Sequence, residues 1–552
     1  MSAKNLASRV LGRILHLPPP TTDFTVDRHV RVPMRDGIDL IADHYVPDTD
    51  VPSGTLLVRG PYGRRFPFSA LFGAVYAARG YHVVIQSVRG TFGSGGEFTP
   101  MVNEVADGAD TAAWLRDQPW FTGSFATLGL SYLGFTQWAM LVDPPPELKA
   151  AIISVGPHDF SAAAWGTGAF TMNDFLGWSN MVAHQEDPGL ARTIARHATA
   201  NRVVARTTHL APAGEAARKL LGKGATWYES WIGNPDRDDE FWGPLRLADA
   251  LDRTNVPVLQ FGGWQDLFIE QTVAQYRHLR KRGVTTAMTV GPWTHGQLMS
   301  RGAAMVIRET LAWLDTHLLG IDSPQRSPVR IHVNGDGWIN LPDWPPTMDD
   351  TVLYLQPAHR LSNTPPDDDA PPSTFVFDPA SPTPTVGGRL LSSEAGYRDD
   401  SRLALRPDVV EFTGEPLTAD LYVVGHPAVE LSHSSDNPHN DVFVRVSEVD
   451  ARGRSTNVSD GFVRLATSSD AWNEPDAVRI ELDPVAHRFA AGSRIRVLVA
   501  GGSHPRFLRN LGTDEPPISG TRMTPATHTV HHGRGGRSRL LLPSGSRLPS
   551  ND

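Results

Sequence analysis

The sequence predicts an α/β protein, with a parallel sheet flanked by helices, a helical insertion and an all-β carboxyl-terminal part. Strand and helix patterns alternate from Thr55 to Val155 and again from Val256 to Asn334, the signature of βαβ units. Between them, Phe160 to about Leu251 has helical period, many aromatic residues and no strong strand. Beyond the proline-rich Pro342–Pro346 and the polar stretch 363–373, short apolar runs lie between turns at the spacing of a sandwich or jelly roll. These shifts divide the chain into 1–158 (first part of the α/β domain), 159–251 (a helical cap), 252–346 (second part of the α/β domain) and 347–552 (a β jelly-roll domain).

Each element has its own reason. Thr25–Pro33 and Gly37–Val46 flank Arg35-Asp36-Gly37, a turn signal that predicts a hairpin. Thr55–Arg59 and Tyr81–Ser87 are short apolar runs, read as buried strands. Phe68–Ala78 reads as a helix stopped by Gly80 after Arg79, and Val102–Asp117 as a second. Ser124–Leu128, Leu148–Val155, Val256–Phe261, Ala287–Val290 and Val329–Asn334 supply further strands. In the last domain, Thr351–Leu355, Asp408–Phe412, Ala419–Val424, Ala428–Ser432, Val442–Val449, Gly461–Leu465, Val478–Leu482, Arg494–Ala500 and Arg539–Leu542 read as strands. An insertion between sheet strands, above the edge where ligands bind, is expected to act as a cap.

The 552 residues exceed what a single core serves, and the net charge of −9 gives no sign of a nucleic-acid partner. The absence of cysteine excludes disulfides, thiol catalysis and cysteine-ligated metal, and fits a cytoplasmic protein. No apolar run is long enough to span a bilayer. Met1–Leu17 interleaves Lys4, Arg9 and Arg13 with apolar residues and reads as an amphipathic helix, either docked on the body or resting on a membrane surface.

Chemistry enters at Gly129-Leu130-Ser131-Tyr132-Leu133-Gly134. It follows the run Ser124–Leu128 and precedes the helix-like Thr136–Leu141. A strand, a sharp turn bearing Ser and a helix make the nucleophile elbow of the α/β-hydrolase fold, with small residues crowding the Ser. The pattern is G-x-S-x-x-G, so Leu133 takes the commonest glycine slot. Asp266 and His295 then follow in the order of that fold, Ser, acid, His. Asp266 ends Phe261-Gly262-Gly263-Trp264-Gln265-Asp266 and His295 ends Gly291-Pro292-Trp293-Thr294-His295, each just past a strand. Ligand sites of open parallel sheets lie at those carboxyl ends. Gly93-Ser94-Gly95-Gly96 lacks nucleotide-loop spacing. His433, His439, His528, His531 and His532 lack metal-ligand spacing with nearby carboxylates, so neither metal nor cofactor is expected.

With Arg59-Gly60-Pro61-Tyr62, Gln86-Ser87-Val88-Arg89-Gly90, Phe377-Asp378-Pro379 and Pro384-Thr385-Val386-Gly387-Gly388, these motifs make the chain resemble the cocaine esterase/X-Pro dipeptidyl-peptidase group of α/β-hydrolases from about residue 25 to 545. The resemblance implies Ser131 as nucleophile, His295 as base and then acid, and Asp266 as the group that orients the imidazole. It implies an oxyanion hole made by the main-chain N–H of Tyr132 and the hydroxyl of Tyr62. Ser87 stands where the group often has an acid, a position read as structural. The resemblance also implies self-association through the β domain, so a homodimer is among the expected partners.

Relatives that act on α-amino-acid esters carry acids two and three residues after the catalytic Asp, where this chain has Phe268 and Ile269. Trp165 and Trp178 align with cap tryptophans that line the acyl pocket in cocaine-esterase-like members, and Phe268 would close the same pocket. Hydrolysis of small esters with apolar or aromatic acyl groups is therefore the expected activity. An amide or peptide hydrolase (an acylase or X-Pro dipeptidyl-peptidase), an acyltransferase, and a non-catalytic jelly-roll binding protein stand as alternatives.

Overall fold

The computed structural model describes residues 12–322, 326–466, 475–533 and 537–548. Most of the expected helix Met1–Leu17 lies outside the described residues. The chain forms two compact units: Met1–Phe160, Glu240–Gly263 and Gln271–Val329 make the first, and Ser161–Asp239, Trp264–Glu270 and Arg330–Asp552 the second.

In the first unit, strands β1 (Phe24–Pro33), β2 (Asp39–Pro47), β3 (Gly54–Gly60), β4 (Tyr81–Ser87), β5 (Phe125–Leu130), β6 (Leu148–Ser154), β7 (Val258–Gln265) and β8 (Thr286–Thr294) lie in the order β1-β2-β4-β3-β5-β6-β7-β8. The last residues of β7 carry the chain into the second unit. β3 pairs in parallel with β4 and β5, β5 with β6, and β6 with β7. The β1–β2 hairpin joins antiparallel through β2 on β4. Strands β3, β4 and β5 are buried along their whole length. A strand covered on both faces has no position that must be polar, which is why each has an unbroken apolar centre, Leu56–Val58 in β3 and Val83–Ile85 in β4.

The helix Tyr132–Leu141 is buried at every residue and packs over β3, β5 and β6. Its close approach depends on glycine, because a Cβ at Gly134 would sit 2.6 Å from the Gly156 Cα. The expected helix Phe68–Ala78 forms as a π-helical turn, Ser69–Ala74, leading into Val75–Ala77. Its apolar spacing suits either helix type. Gly73 lies so close to the Tyr45 ring that a Cβ would come within 2.4 Å of it, and this packing holds the wider turn in place.

The second unit contains a thirteen-stranded β sheet system built from Asp349 onward. Its core includes Leu355, Phe412, Val444, Val446, Leu482, Phe489, Val497 and Leu542. Strands also form at Arg360–Ser362, Ser373–Phe377, Val485–Phe489 and Ala526–His531, where none was expected. The inserted helices Met172–His184, Leu190–Thr208, Ala213–Leu221 and Trp227–Gly233 belong to this unit. The inserted segment is tied to the β part by main-chain hydrogen bonds, three to the loop between the strands Arg494–Ala500 and Ala526–His531 and one to the strand Ser455–Ala466: Met172 N–H to the Arg506 carbonyl (2.9 Å), Leu508 N–H to Phe170 (2.8 Å), Gly214 N–H to Ile518 (2.9 Å) and Arg464 N–H to Thr167 (2.9 Å).

Candidate active site

Ser131 sits between β5 and the helix Tyr132–Leu141 with φ 58° and ψ −123°. A non-glycine residue held there stores about 1–3 kcal/mol of strain, which neighbouring contacts must overdetermine. They do so here. Ser131 N–H donates to the Ser154 carbonyl at 2.9 Å, and its own carbonyl accepts from Gly134 N–H at 2.8 Å and Phe135 N–H at 3.1 Å. A Cβ at Gly129 would meet the Leu133 Cβ at 2.4 Å, so the turn excludes a side chain before the serine. Leu133 in the usual glycine slot is accommodated because its own side chain lies over Gly60, where a Cβ would be 2.4 Å from Leu133 Cδ1.

Tyr62 follows β3, the parallel neighbour of β5, so both residues emerge at one sheet edge. The Tyr62 ring stacks on Phe68 with centroids 5.8 Å apart, and Phe68 stacks on Phe72 at 6.1 Å. His295 follows β8 in the same unit and is buried. The Thr294 N–H donates to Gln297 Oε1 at 3.2 Å, closing the turn around it. A Cβ at Gly263 would lie 2.2 Å from the Trp293 carbonyl oxygen, so the glycine pair near the end of β7 lets the chain pass the histidine segment closely.

The Tyr132 side chain has a role that sequence reading missed. Its hydroxyl accepts the Met101 N–H at 2.7 Å and donates to Glu104 Oε1 at 2.8 Å. Glu104 pairs with Arg59 Nη2 at 3.0 Å, and Arg59 Nε donates to Gln86 Oε1 at 2.8 Å. All are buried. Burial lifts the Glu104 carboxyl above its ordinary range despite Arg59 and Tyr132. Burial, followed by the Glu104 charge, raises the Tyr132 phenol well above its own, so it stays a neutral donor. Arg59 and Gln86 stand in motifs already singled out, whereas nothing marked Glu104 or Met101. Ser87 takes part in a second buried group, accepting from Arg64 Nη1 at 2.5 Å, while Arg64 Nε reaches Asp43 Oδ1 at 3.1 Å.

Asp266, Phe268, Trp165 and Trp178 belong to the second unit. Asp266 directly follows β7, is fully buried, and its Oδ2 accepts the Phe268 N–H at 2.9 Å. Its neighbours are anchored. Trp264 Nε1 donates to the His332 carbonyl at 2.7 Å, and Gln265 Nε2 to the Val458 carbonyl at 3.4 Å. Trp165 donates its indole N–H to the Trp231 carbonyl at 2.8 Å. Trp178 packs on Trp231 and Trp227 with centroids 5.8 and 6.3 Å apart. The candidate histidines of the β strands pair among themselves and with serines: His433 with His528 at 3.0 Å, His531 with Ser434 and His532 with Ser373, both at 2.9 Å. No helix among the described residues is long and apolar enough to cross a membrane.

Residues 36–297 match the X-Pro dipeptidyl-peptidase (S15) family, and residues 322–541 match the X-Pro dipeptidyl-peptidase C-terminal non-catalytic domain. The chain is 31% identical to the cocaine esterase of Rhodococcus sp. (strain MB1 Bresler), over 94% of this chain and 99% of that one. Its fold is similar to that of an aminopeptidase from a marine sediment Thaumarchaeota archaeon, with TM-score 0.82 and 23% identity over 94% of this chain and 96% of the other. It is also similar to that of an α-amino acid ester hydrolase, with TM-score 0.80 and 23% identity over 95% and 97%. A strained serine on an α/β-hydrolase elbow and a full-length likeness to an esterase lead to one conclusion: the chain belongs to the cocaine esterase/X-Pro dipeptidyl-peptidase family of α/β-hydrolases and is a serine hydrolase.

Proposed function

We propose that the chain hydrolyses small carboxylic esters of apolar or aromatic acyl groups through an acyl-enzyme on Ser131. His295 takes the Ser131 proton as Oγ attacks the ester carbonyl, then gives it to the departing alkoxide, leaving the acyl group on Oγ. Water repeats the sequence with His295 as base and releases the acid. Asp266 orients the imidazole and stabilises its charged form. The Tyr132 main-chain N–H, at the helix N-terminus, and the Tyr62 hydroxyl receive the oxyanion. The observation that carries this reading is the Ser131 backbone, held at φ 58° in the turn between β5 and the helix Tyr132–Leu141.

The apolar acyl preference is supported by Phe268 and Ile269, both buried apolar residues, and by the clustered tryptophans Trp165 and Trp178. The next acid, Glu270, already faces Arg389, so its charge is answered within the protein rather than held for a substrate ammonium.

The test is a panel of aryl and alkyl esters against the matching amides and X-Pro anilides, with Ser131→Ala as control and a fluorophosphonate probe. Esters turn over fastest, the probe labels Ser131, and Ser131→Ala loses roughly 10⁶ in turnover. Tyr62→Phe loses about 10²–10³ in kcat. Labelling elsewhere, or amides outpacing esters, refutes the assignment.

A further inference from the structure

The motif Pro384–Gly388 has no part in the chemistry above, yet it leads into a largely buried set of charges. Arg389, the next residue, pairs with Asp483. Arg506 Nη1 reaches Asp460 Oδ2 at 2.9 Å, and its Nη2 approaches Asp483 Oδ2 at 3.8 Å. Arg445 grips Asp460 with two bonds, Nε to Oδ1 at 2.7 Å and Nη2 to Oδ2 at 2.9 Å, and lies 3.6 Å from Asp400 Oδ2. Three arginines and three aspartates balance in charge. Gly388, at φ +87°, passes so near that a Cβ would be 2.6 Å from Asp460 Oδ2, which explains the glycine.

Burying this many charges costs several kcal/mol per ion, and matched apolar residues often do as well or better for stability alone. The location of the cluster suggests another use. The strand Ser455–Ala466 carries Asp460, and two residues earlier its Val458 carbonyl accepts from Gln265, the neighbour of Asp266. Residues 387–400 are joined to the same strand: Arg398 N–H donates to Asn457 Oδ1 at 2.5 Å, Asn457 Nδ2 to the Gly396 carbonyl at 3.3 Å, and Asp400 N–H to the Ser455 carbonyl at 3.0 Å. The strand on which Gln265 rests is thus bonded to the loop that the ion cluster clamps against it.

We propose that this cluster, through Arg389, is a positioning device for the Asp266 turn. It fixes the strand and loop that carry the turn and sets a guanidinium within electrostatic reach of the Asp266 carboxylate. Burial weakens the Arg389 proton, but the charges of Asp483, Glu270, Asp460 and Asp266 outweigh it and hold that guanidinium charged. The other charged groups around Arg389 are Arg506, Arg445, Asp400, His426 and Glu481. Burial raises the Asp483 carboxyl despite Arg389 and Arg506, while Arg445, Arg506 and Arg389 hold Asp460 below its usual range against burial.

The inference rests on Asp266 acting on His295. The test uses the full-length protein with Arg389→Met, Arg389→Lys and the double variant Arg389→Met/Asp483→Leu, which removes a pair rather than stranding one charge. In the folded double variant, kcat falls about tenfold or more with KM nearly unchanged. In Arg389→Met, loss of a nearby cation makes every neighbouring acid harder to deprotonate, so the acid limb of the kcat/KM profile moves up by about half a pH unit or more, whereas the double variant removes a cation and an anion together and leaves the limb nearly in place. Arg389→Lys returns the limb toward its original position. A folded double variant with the parent's kcat, or a folded Arg389→Met with the parent's acid limb, overturns the proposal. If the double variant does not fold, Arg389→Lys decides: a kcat loss of about fivefold or more supports it, and an unchanged kcat overturns it. Asp266→Asn separates the two readings. If it stays active, the role of Asp266 is wrong; if it is inactive while the cluster variants match the parent, only the positioning role falls.

Discussion

Removing one oxygen from the protein, by Tyr132→Phe, separates the two jobs assigned to this residue. The hydroxyl lies in a buried pocket between the Met101 N–H at 2.7 Å and Glu104 Oε1 at 2.8 Å. Met101 is itself held in a left-handed conformation, φ 72°. The substitution leaves a buried amide donor unpaired, about 1–3 kcal/mol, and strips a charged acceptor of one bond, about 1.5–3 kcal/mol. Neighbours relax and the two terms share one site, so the expected net loss is about 3 kcal/mol. In a unit of this size that is a fall of roughly 6–12 °C in the transition that includes the α/β part, read by calorimetry against the parent. Turnover at 25 °C follows the main chain instead. The residue-132 N–H is still present, so kcat falls by less than about tenfold, far short of the loss expected for Tyr62→Phe. A melting shift below about 1 °C would mean that the hydroxyl anchors nothing. A kcat loss matching that of Tyr62→Phe would mean that the side chain, not the main chain, serves the oxyanion.

Ser131→Gly removes the strain of φ 58° and should raise the melting temperature, by the equivalent of about 1 kcal/mol, while abolishing esterase activity; a lower melting temperature contradicts the strain assignment. Burial, then the charge of His531, depresses the His433 imidazole to about 4. The unfolded chain takes up that proton near pH 6.5 and the folded one only near 4, so the stability it contributes is complete above 6.5 and is lost as pH falls through this window. By pH 5 the loss is about 2 kcal/mol for this residue alone. Melting scans between pH 7.5 and 5 should show a shallower acid loss for His433→Gln than for the parent, and equal slopes would refute the assignment.

The α/β part was legible where burial and pattern agree. β3, β4 and β5 are buried at every residue and rich in apolar side chains at their centres because both faces are covered, and the serine turn announced itself through the small residues that a sharp strand-to-helix junction demands. Positions 131, 266 and 295 were proposed from their place after strands, and position 62 from the family resemblance. The β part was less legible. Ala526–His531 alternates polar residues through a strand whose His528 is fully buried, and no hydrophobic period marks it. Glu104 beneath Tyr132 and Arg389 beside Asp483 escaped notice for a related reason. A charged residue reads as surface until a partner distant in sequence is folded against it, and only the three-dimensional structure brings Arg59 or Asp483 there.

The main-chain bonds between the inserted segment and the β part bear on attempts to shorten this enzyme. Ending the chain near residue 329 would strip partners from the amides of Met172 and Gly214 and from the carbonyls of Thr167 and Phe170. Segment 161–239 would then keep main-chain groups without their native partners, which favours local opening, aggregation and proteolysis. Engineers seeking a minimal catalyst should treat 161–239 and 330–552 as one module, to be kept, exchanged or grafted together.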